Sequence, residues 1–188
     1  LAWPESGAVR VLYTEAQIRE KVSELGRRIT CDYDGKPLVL VGILNGSAPF
    51  LCDLMRRIEL PIEYSFISVS SYGRDTTSSG VVRVHSELRH DVRDKHVLVV
   101  EDIVDTGLSL ERSYLLPNLL ERGATTVKIC ALMDKPCRRR AKITPDYIGF
   151  TIGDEFVVGY GLDADGRYRN LPFVGVCGRS GRENDGQK

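Results

Sequence analysis

The chain has no run of apolar residues long enough to cross a bilayer, and its opening residues lack the pattern of a secretory leader. It has no net charge either, because 26 lysines and arginines balance 26 aspartates and glutamates. Without a basic excess there is no electrostatic footprint for nucleic acid or for an anionic membrane surface. The five cysteines (Cys31, Cys52, Cys130, Cys137, Cys177) are odd in number and include no Cys-x-x-Cys pair. That argues against a disulfide framework and a zinc site, and favours a reducing, cytoplasmic setting. Cys52 and Cys130 lie in apolar surroundings and read as core residues rather than nucleophiles. His85, His90 and His96 show no ligand spacing. Repeats, low-complexity tracts, interdomain linkers and a C-terminal peroxisomal address are absent.

What is present supports one domain. With 188 residues and 42% hydrophobic content the chain can bury a sizeable core. The expected domain spans 1–177, with a core over about 14–134 and a smaller lobe over about 135–177. The polar, Gly-rich tail 178–188 is expected to be disordered. Thr14-Glu15-Ala16-Gln17 has capping-box form, and Ile18, Val22, Leu25 and Ile29 then recur at helical spacing. Leu38–Leu44 is a buried-strand candidate, Asn45-Gly46-Ser47 a turn, and Ala48–Ile58 a helix. Ile62–Ser68, the alternating Val82 and Val84, Thr126–Met133, Tyr147–Ile152 and Val157–Tyr160 read as further strands. Strands alternating with helices predict an α/β fold, with a mainly parallel sheet flanked by helices. Ligands of such sheets bind beyond the carboxyl ends of the strands. Asn45-Gly46, Glu101–Ser109 and Lys135 all follow predicted strands, so they should share one rim.

The centre of the chain is the stretch from Val97 to Ser109, Val-Leu-Val-Val-Glu-Asp-Ile-Val-Asp-Thr-Gly-Leu-Ser. It begins as a β-branched apolar run, continues through Glu101 and Asp102, and reaches a short loop before a predicted helix, Leu110–Leu120. Backbone N–H groups from Thr106 to Ser109 can point at an anion, and Gly107 lets the backbone turn tightly. Glu101, Asp102 and Asp105 would repel a bare polyphosphate. Magnesium, or neutral sugar hydroxyls against the acids, resolves the conflict. The loop therefore suits a sugar monophosphate, with phosphate on Thr106, Gly107, Leu108 and Ser109 and hydroxyls on Glu101 and Asp102. It lacks the Gly-Lys-Ser/Thr ending of a Walker loop and the glycines of a dinucleotide fingerprint.

Val-Val-Glu-Asp-Ile-Val-Asp-Thr-Gly resembles the phosphoribosyl pyrophosphate signature of type I phosphoribosyltransferases, and the wider chain resembles the hypoxanthine-guanine phosphoribosyltransferases. A second matching stretch is Glu155-Phe156-Val157-Val158-Gly159-Tyr160-Gly161-Leu162-Asp163. The resemblance implies the type I fold with a small hood made from the chain's ends. It also implies purine salvage: hypoxanthine or guanine plus phosphoribosyl pyrophosphate gives IMP or GMP plus pyrophosphate, with magnesium as cofactor. By resemblance, Asp105 is the general base or proton partner at ring nitrogen 7, and Asn45-Gly46 binds pyrophosphate through backbone N–H groups. Relatives often have a cis peptide ahead of the second residue of this loop, Leu44-Asn45-Gly46-Ser47, and many carry Lys where Asn45 stands. Ser71-Tyr72 resembles the pair on the family's mobile catalytic loop. Lys135 would donate to the purine 6-oxo group, Phe156 would stack on the ring, and the Val157 backbone would read its edge. Asp163, with Glu101 and Asp102, would hold magnesium, and Arg169 would contact pyrophosphate. Relatives commonly form dimers or tetramers, so a homodimer or homotetramer is implied.

Several readings stay open alongside these. Lys135 taken alone reads as a solvated lysine, and Arg138, Arg139, Arg140 and Lys142 as a solvated basic turn. A non-catalytic regulator on the same fold, sensing phosphoribosyl pyrophosphate or nucleotides, would not need Lys135, Phe156, Asp163 and Arg169 together. A xanthine preference is also open, because the purine 2-position is read largely by backbone atoms.

Overall fold

The structure is a computed structural model that describes residues 9–71, 82–84, 88, 90–108, 110 and 115–177; for 69–71 and 82–84 only the backbone is described. Ser109, Tyr72 and the tail 178–188 lie outside the described residues, and so does the Ser71 side chain.

The elements in order are β1 (Val9–Tyr13), α1 (Glu15–Asp32), β2 (Leu38–Leu44), α2 (Ala48–Met55), β3 (Ile62–Ser71) and β4 (Val82–Val84). Then come β5 (His96–Val104), α3 (Leu115–Glu121), β6 (Thr126–Asp134), a 3-10 turn (Pro136–Arg138), β7 (Tyr147–Thr151), β8 (Val157–Val158) and β9 (Val174–Cys177). The main sheet has the order β4-β3-β2-β5-β6-β7. Five of its strands run parallel, and β4 pairs antiparallel at the β3 edge.

Strands β2 and β5 are central and read as near-continuous apolar runs because both of their faces are covered. The side chains of β2, β5 and β6 (Thr126–Asp134) alternate between two cores. Leu38, Leu40, Leu98, Val100 and Leu132 pack with Ile18, Leu25, Phe50 and Leu51 beneath α1 and α2. Val39, Val41, Val97, Val99 and Ala131 pack on the other face with Val92, Leu115 and Leu119. Each such side chain contributes about 1.5–3 kcal/mol by leaving water, so the register of β2 against β5 is strongly fixed. The expected capping box starts α1: Thr14 Oγ1 accepts from Gln17 N at 3.3 Å, and Gln17 Oε1 accepts from Thr14 N at 2.9 Å. Both exchanges satisfy donors that the first helical turn leaves free.

A second, antiparallel sheet of order β1-β9-β8 forms the small lobe from both ends of the chain. β1 precedes the expected core and pairs Val9 with Cys177 and Tyr13 with Val174. β7 falls inside the segment expected to form the small lobe, yet it pairs with β6 and extends the main sheet. Tyr13 stacks on Phe150 of β7, with ring centroids 3.9 Å apart, and so fastens one sheet to the other. Pro117 lies within α3.

Candidate active site

Three loops at the carboxyl end of the parallel sheet converge, as the strand reading requires. The loop after β2 begins with a cis Leu44–Asn45 peptide, the position at which family members often carry one. Asn45 is exposed, whereas Gly46 and Ser47 are buried. Gly46 is wedged between Asp102 and the turn after β8: a methyl group on it would overlap Asp102 Oδ2, and one on Gly161 would overlap the Gly46 carbonyl. Glycine at both positions is therefore a packing requirement, and at Gly161 the φ of +100° adds a backbone one.

The acidic pair ends β5. Glu101 is buried, and burial, with a lesser push from the Asp102 carboxylate, drives its carboxyl well above the usual carboxylate range. Asp102 keeps an edge to solvent, but surrounding protein pushes its carboxyl up to about 6. Hydrogen bonds partly oppose that push, among them one from Ile103 N to Asp102 Oδ1 at 3.0 Å. Arg169 lowers the Asp102 value and Asp163 raises it, so the three groups act on one another across the two sheets. Arg169 Nη2 lies 2.6 Å from Asp163 Oδ1, and its Nη1 donates to Gly161 O at 2.5 Å. Asp163 Oδ2 accepts from Gly166 N at 2.7 Å.

Asp105 stands three residues beyond the acidic pair. Its Oδ1 is buried and accepts no hydrogen bond among the described residues, although Arg138 Nε forms an ion pair with it at 3.3 Å. Arg138 also reaches Asp154 Oδ1 at 3.2 Å, two residues before Phe156. This chain of charges brings the start of the second matching stretch beside Asp105. Phe156 leaves 49% of its surface exposed, unusual for a large apolar ring and suited to stacking on a flat ligand. Val157 is buried and hydrogen-bonded into β9 opposite Val176, which holds that backbone in place. Thr106 and Leu108 are partly exposed around the buried Gly107, whose φ is +75°.

Two readings of the residues after β6 change. Lys135 is only 4% exposed, so it is not a solvated lysine. Its N–H donates to Val104 O at 3.0 Å, which places it beside Asp105. Nor are the arginines that follow one solvated turn. Arg139 has a side chain only 15% exposed, inserted beneath the loop that carries Asp105 and Gly107, where it pairs with the buried Asp134 carboxylate. Sequence reasoning missed Arg139, Gly161 and Tyr160. Tyr160 adopts φ +49°, and its hydroxyl donates to Asp53 Oδ2 on α2 at 2.7 Å, tying the turn after β8 to the helix that follows Gly46. A cleft of about 530 Å³ lined by Arg19, Asp53, Arg56 and Tyr160 contains none of the predicted site residues.

Among the described residues no three His, Cys, Asp or Glu side chains form a self-sufficient metal site. Buried carboxylates with raised protonation at Glu101 and Asp102 nevertheless supply hard oxygen donors in need of positive charge. Together with ligand oxygens they fit magnesium, which is commonly held by one or two carboxylates plus substrate phosphates.

Comparison with known proteins identifies the family. Residues 11–165 match the model of the phosphoribosyl transferase domain. A Bacillus subtilis hypoxanthine-guanine phosphoribosyltransferase is 45% identical over 89% of this chain and 92% of its own length. A crystal structure of a Staphylococcus aureus hypoxanthine phosphoribosyltransferase superposes with a TM-score of 0.84 at 46% identity, covering 89% of this chain and 90% of that one. A Listeria monocytogenes relative described as bifunctional protein TilS/HprT is 46% identical over 89% of this chain, which spans only 26% of that relative. With a family model covering most of its length and full-length relatives at this identity, the chain belongs to the phosphoribosyl transferase domain family and, within it, to the hypoxanthine-guanine phosphoribosyltransferases.

Proposed function

We propose that this chain transfers a phosphoribosyl group from phosphoribosyl pyrophosphate to hypoxanthine or guanine, giving IMP or GMP and releasing pyrophosphate. The observation that carries the reading is the Asp105 carboxylate. One of its oxygens is buried and, among the described residues, accepts no hydrogen bond, with the Arg138 guanidinium as its ion-pair partner, one residue before the anion-facing loop and adjacent to the buried Lys135. A proton acceptor, a carbonyl donor and a phosphate cradle within a few residues of one another match a purine and a sugar phosphate held side by side.

In this reading the 5′-phosphate sits on the N–H groups of Thr106, Gly107 and Leu108, and Ser109 extends the cradle. Glu101 and Asp102 face the ribose hydroxyls. Asn45 and Gly46 offer backbone N–H groups to pyrophosphate, and Arg169 leaves Asp163 to bridge phosphate oxygens. Phe156 stacks on the purine, the Val157 backbone reads its edge, and Lys135 donates to the 6-oxo group. An ammonium there disfavours a 6-amino group, which presents hydrogens of its own. The anomeric carbon–oxygen bond breaks and its electron pair leaves with pyrophosphate, while ring nitrogen 9 bonds to that carbon. Asp105 takes the proton from ring nitrogen 7 as the ring would otherwise become cationic. Positive charge on the ribose is offset by the neighbouring acids. Glu101, Asp102 and Asp163 would hold magnesium, whose charge eases departure of the diphosphate. Ser71-Tyr72, similar to the pair on the family's mobile catalytic loop, would help exclude water from the ribosyl cation. The reaction is placed in a reducing cytoplasm, consistent with five free cysteines, and the working form is a homodimer or homotetramer. No helix among the described residues is long and apolar enough to cross a membrane.

The test is a pyrophosphate-release assay with magnesium and phosphoribosyl pyrophosphate, in which hypoxanthine, guanine, xanthine and adenine are offered separately. Release with hypoxanthine and guanine is expected. Release with xanthine above both would move the assignment to a xanthine enzyme, and no release with any base would favour the regulator.

A further inference from the structure

Three successive carbonyls at the end of β5 are pinned to the segment that follows β6. Val104 O accepts from Lys135 N at 3.0 Å and from Arg139 Nη2 at 3.2 Å. Asp105 O accepts from Arg139 Nε at 3.0 Å, and Thr106 O accepts from both Arg140 N and Ala141 N at 3.0 Å. In a planar trans peptide the C=O and N–H of one unit point in opposite directions. Holding the Asp105 and Thr106 carbonyls toward Arg139–Ala141 therefore turns the Thr106 and Gly107 N–H groups the other way. Among the described residues neither N–H has a hydrogen-bond acceptor. Successive N–H groups left facing one side form an anion-binding concavity.

The brace is built around one side chain. Arg139 also donates to Ile143 O and pairs with the buried Asp134 carboxylate, so its guanidinium serves four acceptors. Five donors in a rigid plane can do this, and a lysine ammonium cannot. A methyl group on Gly107 would press on Ala141 Cβ at 3.1 Å and Arg139 Cδ at 3.2 Å, so the brace lies directly beneath the loop. Arg138 next door pairs with the Asp105 carboxylate while Arg139 holds the Asp105 carbonyl.

We propose that Arg139 is a positioning residue that sets the Thr106 and Gly107 N–H groups for a phosphate ester before the ligand arrives. The proposal rests on the phosphate-cradle reading given under Proposed function. A preset concavity spares the ligand the cost of ordering the loop, so the benefit appears only for ligands that carry the phosphate.

The test compares binding of IMP with binding of inosine, its counterpart lacking phosphate, by calorimetry on wild type, Arg139→Lys and the double variant Arg139→Gln with Asp134→Asn. The double variant removes both buried charges together, so neither is left unpaired. Thermal unfolding checks that each variant is folded. In wild type IMP should bind far more tightly than inosine. In both variants IMP affinity should fall by about tenfold or more while inosine affinity stays within about twofold. A merely structural role would lower both affinities in step or reduce only the folded fraction, so an unchanged IMP-to-inosine ratio in a folded variant overturns the proposal. A wild-type protein that shows no phosphate preference would sink the cradle reading itself and take this proposal with it.

Discussion

Replacing Asp102 by Asn should make the protein more stable and less active, by an amount that depends on pH. An aspartate in an unfolded chain titrates near 3.8, whereas the fold pushes Asp102 up to about 6. The folded protein therefore holds this proton more tightly than the unfolded chain does. Stability must then fall as pH rises from the lower value to the higher, and stay at the lower level above it. A shift of roughly two pH units corresponds to about 3 kcal/mol, trimmed to about 1–3 kcal/mol because the carboxylate keeps an edge to solvent. The Asn variant does not titrate here but can still accept the Ile103 N–H at Oδ1. Its stability advantage should be small near pH 4 and grow to about 1–3 kcal/mol by pH 7. Relief of repulsion on the buried Glu101 adds in the same direction. Urea unfolding of both proteins across that range measures the gap directly. A gap independent of pH would refute the reasoning, because isosteric packing differences do not titrate. Magnesium with phosphoribosyl pyrophosphate should recover the difference by stabilising wild type more than the variant.

Three further outcomes test the site. Asp105→Asn should retain phosphoribosyl pyrophosphate binding but lose about 10²–10⁴-fold in turnover, and unchanged single-turnover rates would remove its role as proton acceptor. Lys135→Gln should reduce the preference for hypoxanthine over adenine by about ten- to hundredfold, read as a ratio of kcat/KM values, since the variant loses the charged hydrogen bond proposed for the base. Gly46→Ala should cost about 1–3 kcal/mol of stability and raise the KM for phosphoribosyl pyrophosphate, because the new methyl displaces the Asp102 carboxylate. Wild-type values for both measurements would show that the wedge between Asp102 and Gly161 can yield.

Much of this protein was legible from local pattern. The β2 and β5 runs, the capping box of α1 and the acidic loop all declare themselves within a dozen residues. Each depends on periodicity, caps or turns that short-range physics dictates. The two-core sheet follows from those runs, since a strand apolar on both faces must be covered on both. The common rim of Gly46, Asp105 and Lys135 follows in turn from parallel strands.

The remainder depended on distant partners. β1 and β9 are short and lie at opposite ends of the chain; β1 pairs only with β9, which in turn pairs with β8. Arg139 looks like any surface arginine until β6 ends beside β5, leaving exposed carbonyls and a buried Asp134 that one guanidinium can serve. The Tyr160–Asp53 bond and the contact of Gly161 with Gly46 likewise have no sequence signal, because each joins residues more than a hundred positions apart. Sequence alone determined the strands of the main sheet, the helices that cover it and where the chemistry gathers, since those depend on neighbours along the chain. Only the tertiary structure decided which charges are buried and which backbone groups are held, because burial depends on what arrives from elsewhere in the fold.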